Sequence, residues 1–394
     1  MFDFLLILNR RSFCARLFWG VLACLVLVGL DVGRRSDRAS LAQAVWPAPE
    51  KVVSGKQLVS IGKGHIPMPV STPAAHASSL LAMPAAHPSA LMAFWFAGAR
   101  ESASDVQIAA AQFDRVTQQW SAARFVVNRS AVGASLGFGV RRLGNPVAWL
   151  DNEDKIHLFM VATGLGGWAA ARIVHLRQNN KGQAFSELSF DVVRVLPLSW
   201  LWNTSFLVRT APLPLADGGM VLPVHFELGI KYPVALRFDA DGEFKGMVRI
   251  SSRTHLLQPT LLMLSESKWL ALMRDQSEVG KVAVAQTLDR GRSWVDLPDL
   301  ALHNPNSSVA GLALAPGRMY LAHNSLPHGR TVLDLSSSLE GRDWSLAHVL
   351  ELGAGQDEYS YPALAWADDS LWVSYTDQRQ RIGWQRFSLS PSKR

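Results

Sequence analysis

The chain has 394 residues, 48% apolar and only 18% charged, so a large core is available and wholesale disorder is excluded. A chain of this length still folds as one domain if it is an all-β ring. The net charge of +7 comes without a lysine or arginine run of the nucleic-acid-binding kind, which leaves a generally basic surface that favours acidic ligands.

Residues 1–44 read as a targeting segment. Arg10, Arg11 and Arg16 precede an apolar run at 17–30, and Ala42-Gln43-Ala44 offers a small-residue cleavage site. A run of about 14 residues is shorter than the ~20 that a spanning helix needs. Export with cleavage is therefore expected. Anchoring of the N-terminus in the membrane is the rival reading, since Arg34, Arg35 and Arg38 beyond the run are awkward for a cleaved signal. Either way the body is expected outside the cytoplasm, in the periplasm or anchored to the inner membrane and facing it. Cys14 and Cys24 both lie in or beside the apolar segment, so the body has no thiol for a disulfide framework, a zinc site or a nucleophile.

Residues 45–75, rich in Pro, Gly, Ser and Lys, read as a lead-in that can supply one strand to close a ring. From residue 76 to 394 the pattern is all-β. Short apolar or alternating strands at 79–83, 91–96 and 106–113 are separated by Gly, Pro, Asp or Asn turns, with no amphipathic helix beyond three turns.

One turn stands out. Val282, Val284 and Gln286 alternate with Ala283 and Ala285 and run into Thr287-Leu288-Asp289-Arg290-Gly291-Arg292-Ser293-Trp294. The Asp side chain can take nearby backbone N–H groups, the Gly can adopt positive φ, and the Trp can be buried between sheets. Decayed forms close on Trp120, Phe185, Phe244 and Trp344, so the closing aromatics are spaced by 65, 59, 50 and 50 residues. About four strands per repeat of that period indicates propeller blades. Five closures and a last unit with strands at 363–366, 371–375 and 382–387 predict a six-bladed β-propeller, its last blade completed by the lead-in.

The octet resembles the Asp-box of sialidases. The body is similar to the bacterial sialidase-like BNR/Asp-box family through Phe94-Trp95-Phe96-Ala97-Gly98-Ala99-Arg100-Glu101, Leu143-Gly144-Asn145-Pro146-Val147 and Leu222-Pro223-Val224-His225-Phe226-Glu227. Asn304-Pro305-Asn306-Ser307, His328-Gly329-Arg330-Thr331 and Tyr359-Ser360-Tyr361-Pro362 extend the likeness. The resemblance implies a clamp of arginines on a sugar carboxylate, with Arg274 and Arg330 as the second and third, helped by Arg100. It implies Tyr361 as nucleophile and Asp105 as acid/base. Two positions depart from it. Ala75-His76-Ala77 stands where the first arginine is expected, and Gln258 where the activating glutamate is expected. Glu227 on the neighbouring blade is the candidate replacement for that carboxylate.

The resulting expectation is a glycoside hydrolase acting on a terminal acidic sugar of a glycan or exopolysaccharide, with Asp105, Tyr361 and Glu227 catalytic. Arg100, Arg274, Arg330, His76, His225 and Gln258 would bind substrate. A second reading is a polysaccharide lyase, in which His76, His225 or Tyr361 abstracts a proton beside a uronate. A third is a non-catalytic carbohydrate-binding propeller of the cell envelope. No metal-ligand spacing and no phosphate-cradling glycine loop occurs, so no metal or cofactor and no nucleic-acid partner is expected, and the chain is expected to be a monomer.

Overall fold

The computed structural model describes residues 2–36, 41–48, 56–101, 103–180 and 184–391. Arg38 and the turn residues Lys181, Gly182 and Gln183 of the second repeat lie outside them.

Six antiparallel sheets form a β-propeller. Blade 1 holds β2 (Ala74–Ala82), β3 (Ser89–Gly98), β4 (Gln107–Asp114) and β5 (Arg124–Val127). Blade 2 holds β6 (Arg142–Leu150), β7 (Ile156–Thr163), β8 (Ala171–Gln178) and β9 (Phe190–Val195). Blade 3 has five strands, β10 (Phe206–Val208), β11 (Leu213–Pro214), β12 (Met220–Leu228), β13 (Ile230–Phe238) and β14 (Phe244–Arg249). Blade 4 holds β15 (Leu256–Met263), β16 (Trp269–Asp275), β17 (Ala283–Thr287) and β18 (Val295–Leu297). Blade 5 holds β19 (Ala310–Ala315), β20 (Arg318–Asn324), β21 (Val332–Ser338) and β22 (Ser345–Leu352). In blade 6, β23 (Tyr359–Ala367), β24 (Ser370–Asp377) and β25 (Arg381–Pro391) are joined by β1 (Lys56–His65), which pairs along β25. The ring is thus closed by hydrogen bonds between segments from opposite ends of the described chain, which covers the edge of β25 and leaves β1 as the outer strand of the blade.

The repeated turn lies between the last two strands of its blade. In the intact copy Asp289 Oδ1 accepts from Thr287 Oγ1 (2.7 Å) and Ser293 N (2.9 Å), while Gly291 N donates to Thr287 Oγ1 at 2.9 Å. Gly291 takes φ 80°. Asp114 and Asp239 repeat the logic, accepting from Thr117 N (2.7 Å) and Glu243 N (2.8 Å). Trp120, Trp294 and Trp344 pack half-buried against apolar clusters between adjacent blades, which is why the motif ends in a large aromatic.

Because strands alternate direction, one face of the disc carries the loops from second to third strand and from each outer strand to the next blade. The Asp-box turns lie on the opposite face. On the axis towards that opposite face is an apolar cavity of about 290 Å³, lined by Leu81, Trp149, Leu261, Met263 and Leu364 and bordered by Val45 and Pro47.

Among the described residues two α-helices accompany the propeller. The eight-residue α2 (Arg129–Leu136) is capped by Asn128, whose side chain accepts from Ser130 N and Ala131 N. The N-terminal α1 (Phe2–Arg35) is longer than the apolar run in the sequence implied. Its stretch Phe13–Arg35, 23 residues, is long and apolar enough to cross a membrane, as a signal peptide or an anchor would be.

Candidate active site

A backbone irregularity recurs at the head of the inner strands. Ala77, Asn145, Ser205, Gln258, Asn306 and Tyr361, one per blade, have φ between 46° and 68°. At Ala77, Asn145, Gln258 and Tyr361 it accompanies a register shift of the first strand against the second. Left-handed backbone at residues other than glycine costs about 1–3 kcal/mol each, and such bulges re-aim side chains.

Three of the six meet one arginine. Arg274, at the end of β16, donates from Nε to Asn306 Oδ1 at 2.6 Å and from Nη1 to Gln258 Oε1 at 3.3 Å. The same Nη1 lies 3.5 Å from the Tyr361 hydroxyl. Gln258 therefore stands beside the phenol and the arginine, as its sequence position implied, but as an amide. Arg330, on the β20–β21 loop, covers the Tyr361 ring at 5.8 Å and donates to Asn306 O at 3.0 Å. His76, buried, packs on the same ring with centroids 4.2 Å apart. Burial first, and then the positive charge of Arg379, pushes His76 down to about 3, so it is neutral.

Glu227 and His225 lie two residues apart on β12, with His225 Nε2 3.4 Å from Glu227 Oε2. Burial opposes ionisation of Glu227, but His225, Arg274 and Lys231 outweigh it and lower its pKa, so this carboxylate is charged. Asp105 is exposed on the β3–β4 loop, where Oδ2 accepts from Ala99 N at 2.9 Å. It edges a shallow cleft formed by His76, Gly98, Arg100, Glu101 and Arg379. Arg100 lines this cleft too, and Glu101 pairs not with its neighbour Arg100 but with Arg379. The structure thus clusters Tyr361, Arg274, Arg330, Gln258 and His76, sets the His225–Glu227 pair near Arg274, and leaves Asp105 and Arg100 on the rim.

Three residues join the site without having been singled out. Glu358 bridges Arg330 (3.0 Å) and Arg379 (2.7 Å), and these bonds overcome its burial to hold the carboxyl at about 2. Arg379 had a signal, since it heads Arg379-Gln380-Arg381-Ile382, a segment that shares in the sequence resemblance and runs from the turn after β24 into β25. Arg209 had none. It follows three apolar residues of β10, is 1% exposed, and reaches across the axis to Ser78 O (3.1 Å), Pro362 O (2.9 Å) and Tyr361 O. Its guanidinium lies 5.2 Å from the Tyr361 ring centre, and burial lowers its pKa to about 10, so it stays charged. A charged donor to three carbonyls is a physical clamp for the left-handed Tyr361 backbone.

On the same face, between blades 2 and 3, runs a groove of about 900 Å³. Its charged lining is Arg129, Arg141 and Arg172, with Phe138, Trp202 and Leu228 among its apolar walls. No group of His, Cys, Asp and Glu suited to a metal occurs among the described residues.

A family model described as BNR repeat-like domain matches residues 89–373. Among solved structures, a Hadza microbial sialidase aligns with TM-score 0.64 and 16% identity over 81% of this chain and 66% of that one. Trypanosoma rangeli sialidase aligns with TM-score 0.63 and 14% identity over 84% and 59%. A variant of NanB sialidase from Streptococcus pneumoniae gives 0.61 and 10% over 86% and 71%. The chain spans less than two thirds of the length of the first two, and at such identities the likeness is one of fold. No curated protein matches the chain in sequence.

Proposed function

The chain belongs to the BNR repeat-like domain family and has its sialidase-like six-bladed propeller, and from that premise we propose a glycoside hydrolase acting on a terminal acidic sugar. The observation that carries this is the convergence of Arg274 and Arg330 on Tyr361, at 3.5 Å from its hydroxyl and 5.8 Å from its ring centre. Planar guanidinium groups beside a tyrosine suit a sugar carboxylate held next to its anomeric carbon. Arg379, fixed by Glu358 and Glu101, supplies the positive charge that Ala75-His76-Ala77 lacks.

In this reading the Tyr361 oxygen bonds to the anomeric carbon as the bond to the leaving oxygen breaks. Asp105, which accepts one backbone hydrogen bond, enters as the carboxylic acid and gives its proton to that oxygen. The carboxylate left behind then takes a proton from the water that attacks the anomeric carbon and displaces the tyrosyl oxygen. The phenolic proton goes to Glu227, the ionised carboxylate that shares the surroundings of Arg274. The arginine-lined groove receives the rest of an anionic glycan. The N-terminal helix directs the body out of the cytoplasm.

One observation favours a lyase. His76 is in ring contact with Tyr361, and its two ring nitrogens take no hydrogen bond among the described residues, so the imidazole is open to a substrate and the phenol beside it is placed to take the proton. Incubation with sialosides and with uronate glycans separates the readings. Free acidic sugar that disappears in Tyr361→Phe supports hydrolysis. An ultraviolet-absorbing unsaturated product moves the assignment to a lyase. Binding without turnover on every substrate leaves a carbohydrate-binding propeller.

A further inference from the structure

The C-terminal end of α1 is built into the propeller rather than merely preceding it. Asp31, 4% exposed, accepts from Ser199 Oγ at 2.8 Å and Trp200 N at 2.9 Å. Arg35 donates to Leu198 O at 3.3 Å, and Ser36 pairs with Met247 of β14. Residues on both sides of Ala42-Gln43-Ala44 are then threaded under the disc. Leu41 and Ala44 are buried, and Leu41 O accepts from Arg290 at 3.2 Å. Gln43 O accepts from Ala216 N at 2.7 Å, and Val45 N donates to Pro214 O at 3.0 Å. A cut after Ala44 would discard the helix together with side chains that the fold packs.

The loop that holds Asp31 joins β9 to β10 and so lies on the face of the candidate site. It carries Trp200, Leu201 and Trp202, exposed by 58%, 42% and 54%. Three consecutive large apolar residues in water are unfavourable, and tryptophan is the side chain that settles at a membrane–water interface. These residues sit against the end of a helix none of whose apolar window is buried by the protein. At 1.5 Å per residue, residues 13–30 extend about 27 Å, close to a hydrocarbon thickness of about 30 Å. Asp31 then falls at the boundary, where Ser199 Oγ and Trp200 N of the propeller donate to its carboxylate and Arg35 Nε of the same helix lies 3.6 Å from it.

We propose that α1 is retained as a membrane anchor and that Trp200, Leu201 and Trp202 dock the site-bearing face of the propeller on the lipid bilayer. The occupant of this surface is lipid, and the anchor and the docking loop are tied together by Asp31. This rests on the placement of α1 and not on the hydrolase reading, and its test requires no activity.

The intact mass of the full chain extracted from bacterial membranes is expected to include residues 1–44. A mature polypeptide beginning at Val45 would overturn the proposal. Docking is read separately. In the full chain carrying Cys14→Ser and Cys24→Ser, an environment-sensitive fluorophore on Leu201→Cys is placed in vesicles of phosphatidylcholine with phosphatidylglycerol. It is expected to emit at shorter wavelength than the same label on Leu339→Cys, which is 74% exposed on the opposite face, and to be quenched by spin-labelled lipid. Asp31→Ala should shrink that difference while the helix remains inserted. Equal emission from the two positions, or no effect of Asp31→Ala, overturns the docking.

Discussion

At the scale of single residues, Tyr361 and Arg274 separate chemistry from binding. If Tyr361 is the nucleophile of the proposed hydrolysis, removing its oxygen in Tyr361→Phe is expected to lower kcat by on the order of 10³-fold or more with glycan binding kept, as measured by turnover beside equilibrium titration. Arg274→Gln instead is expected to raise KM by roughly 10- to 100-fold, since a charged hydrogen bond contributes about 1.5–3 kcal/mol. His76 makes the fold sensitive to acid. Its pKa drops from 6.5 to about 3 on folding, so below pH 6.5 the unfolded chain binds a proton that the folded chain refuses until pH about 3. Stability is therefore lost as the pH falls through that window. Glu358, lowered from 4.5 to about 2, adds stability that is present above pH 4.5 and lost as the pH falls towards 2. The thermal midpoint is expected to be level near neutrality and to drop below pH 6.5. His76→Gln should reduce the slope between pH 6.5 and 4.5, and an unchanged slope would exclude His76 as a source.

At the scale of elements, the turns between third and fourth strands carry the blades. Asp289→Ala removes the acceptor shared by Thr287 and Ser293 and is expected to cost about 1–2 kcal/mol in urea unfolding. Two glycines distinguish backbone strain from crowding. Gly317 has φ 69° with open space around a would-be Cβ, whereas Gly341 has φ 81° and would place that atom 2.3 Å from Leu270 Cδ1. Gly317→Ala should cost about 1 kcal/mol and Gly341→Ala clearly more, because only the second must also displace a side chain between blades. The turn chemistry is complete within eight residues, so these elements could be read from the sequence. The bulges at the heads of inner strands could not. Asn145, Gln258 and Tyr361 are each followed by a proline, which marks an interrupted ladder but not the backbone hand, and it is pairing with the second strand that accompanies the left-handed backbone.

For the whole molecule, closure of the ring is the decisive contact. β1 pairs with β25 from Lys56↔Pro391 to His65↔Gly383, so β25 is covered and β1 is the outer edge of blade 6. Deleting residues 56–65 is expected to leave β25 as an exposed edge and to drive the chain into aggregates in size-exclusion chromatography, while the other five blades keep their β signal in circular dichroism. Closure also brings blade 6 against blade 1, where Arg379 meets Glu101 across 278 residues of sequence and His76 meets Tyr361.

The sequence by itself determined the blade number, because the spacing of local Asp, Gly and aromatic turns counts the repeats whatever their partners. It also singled out Arg274, Arg330 and Tyr361, which lie in motif segments at ends of strands. Only the tertiary structure decided which side chains share the axis. Arg209 lies 131 residues from Ser78 and 153 from Pro362, and its role exists only once blades 1, 3 and 6 converge. The sequence likewise leaves the fate of the first 44 residues open, since the same apolar run serves a signal or an anchor. The burial of Asp31 and Leu41 is a contact with distant loops, and no local pattern encodes it.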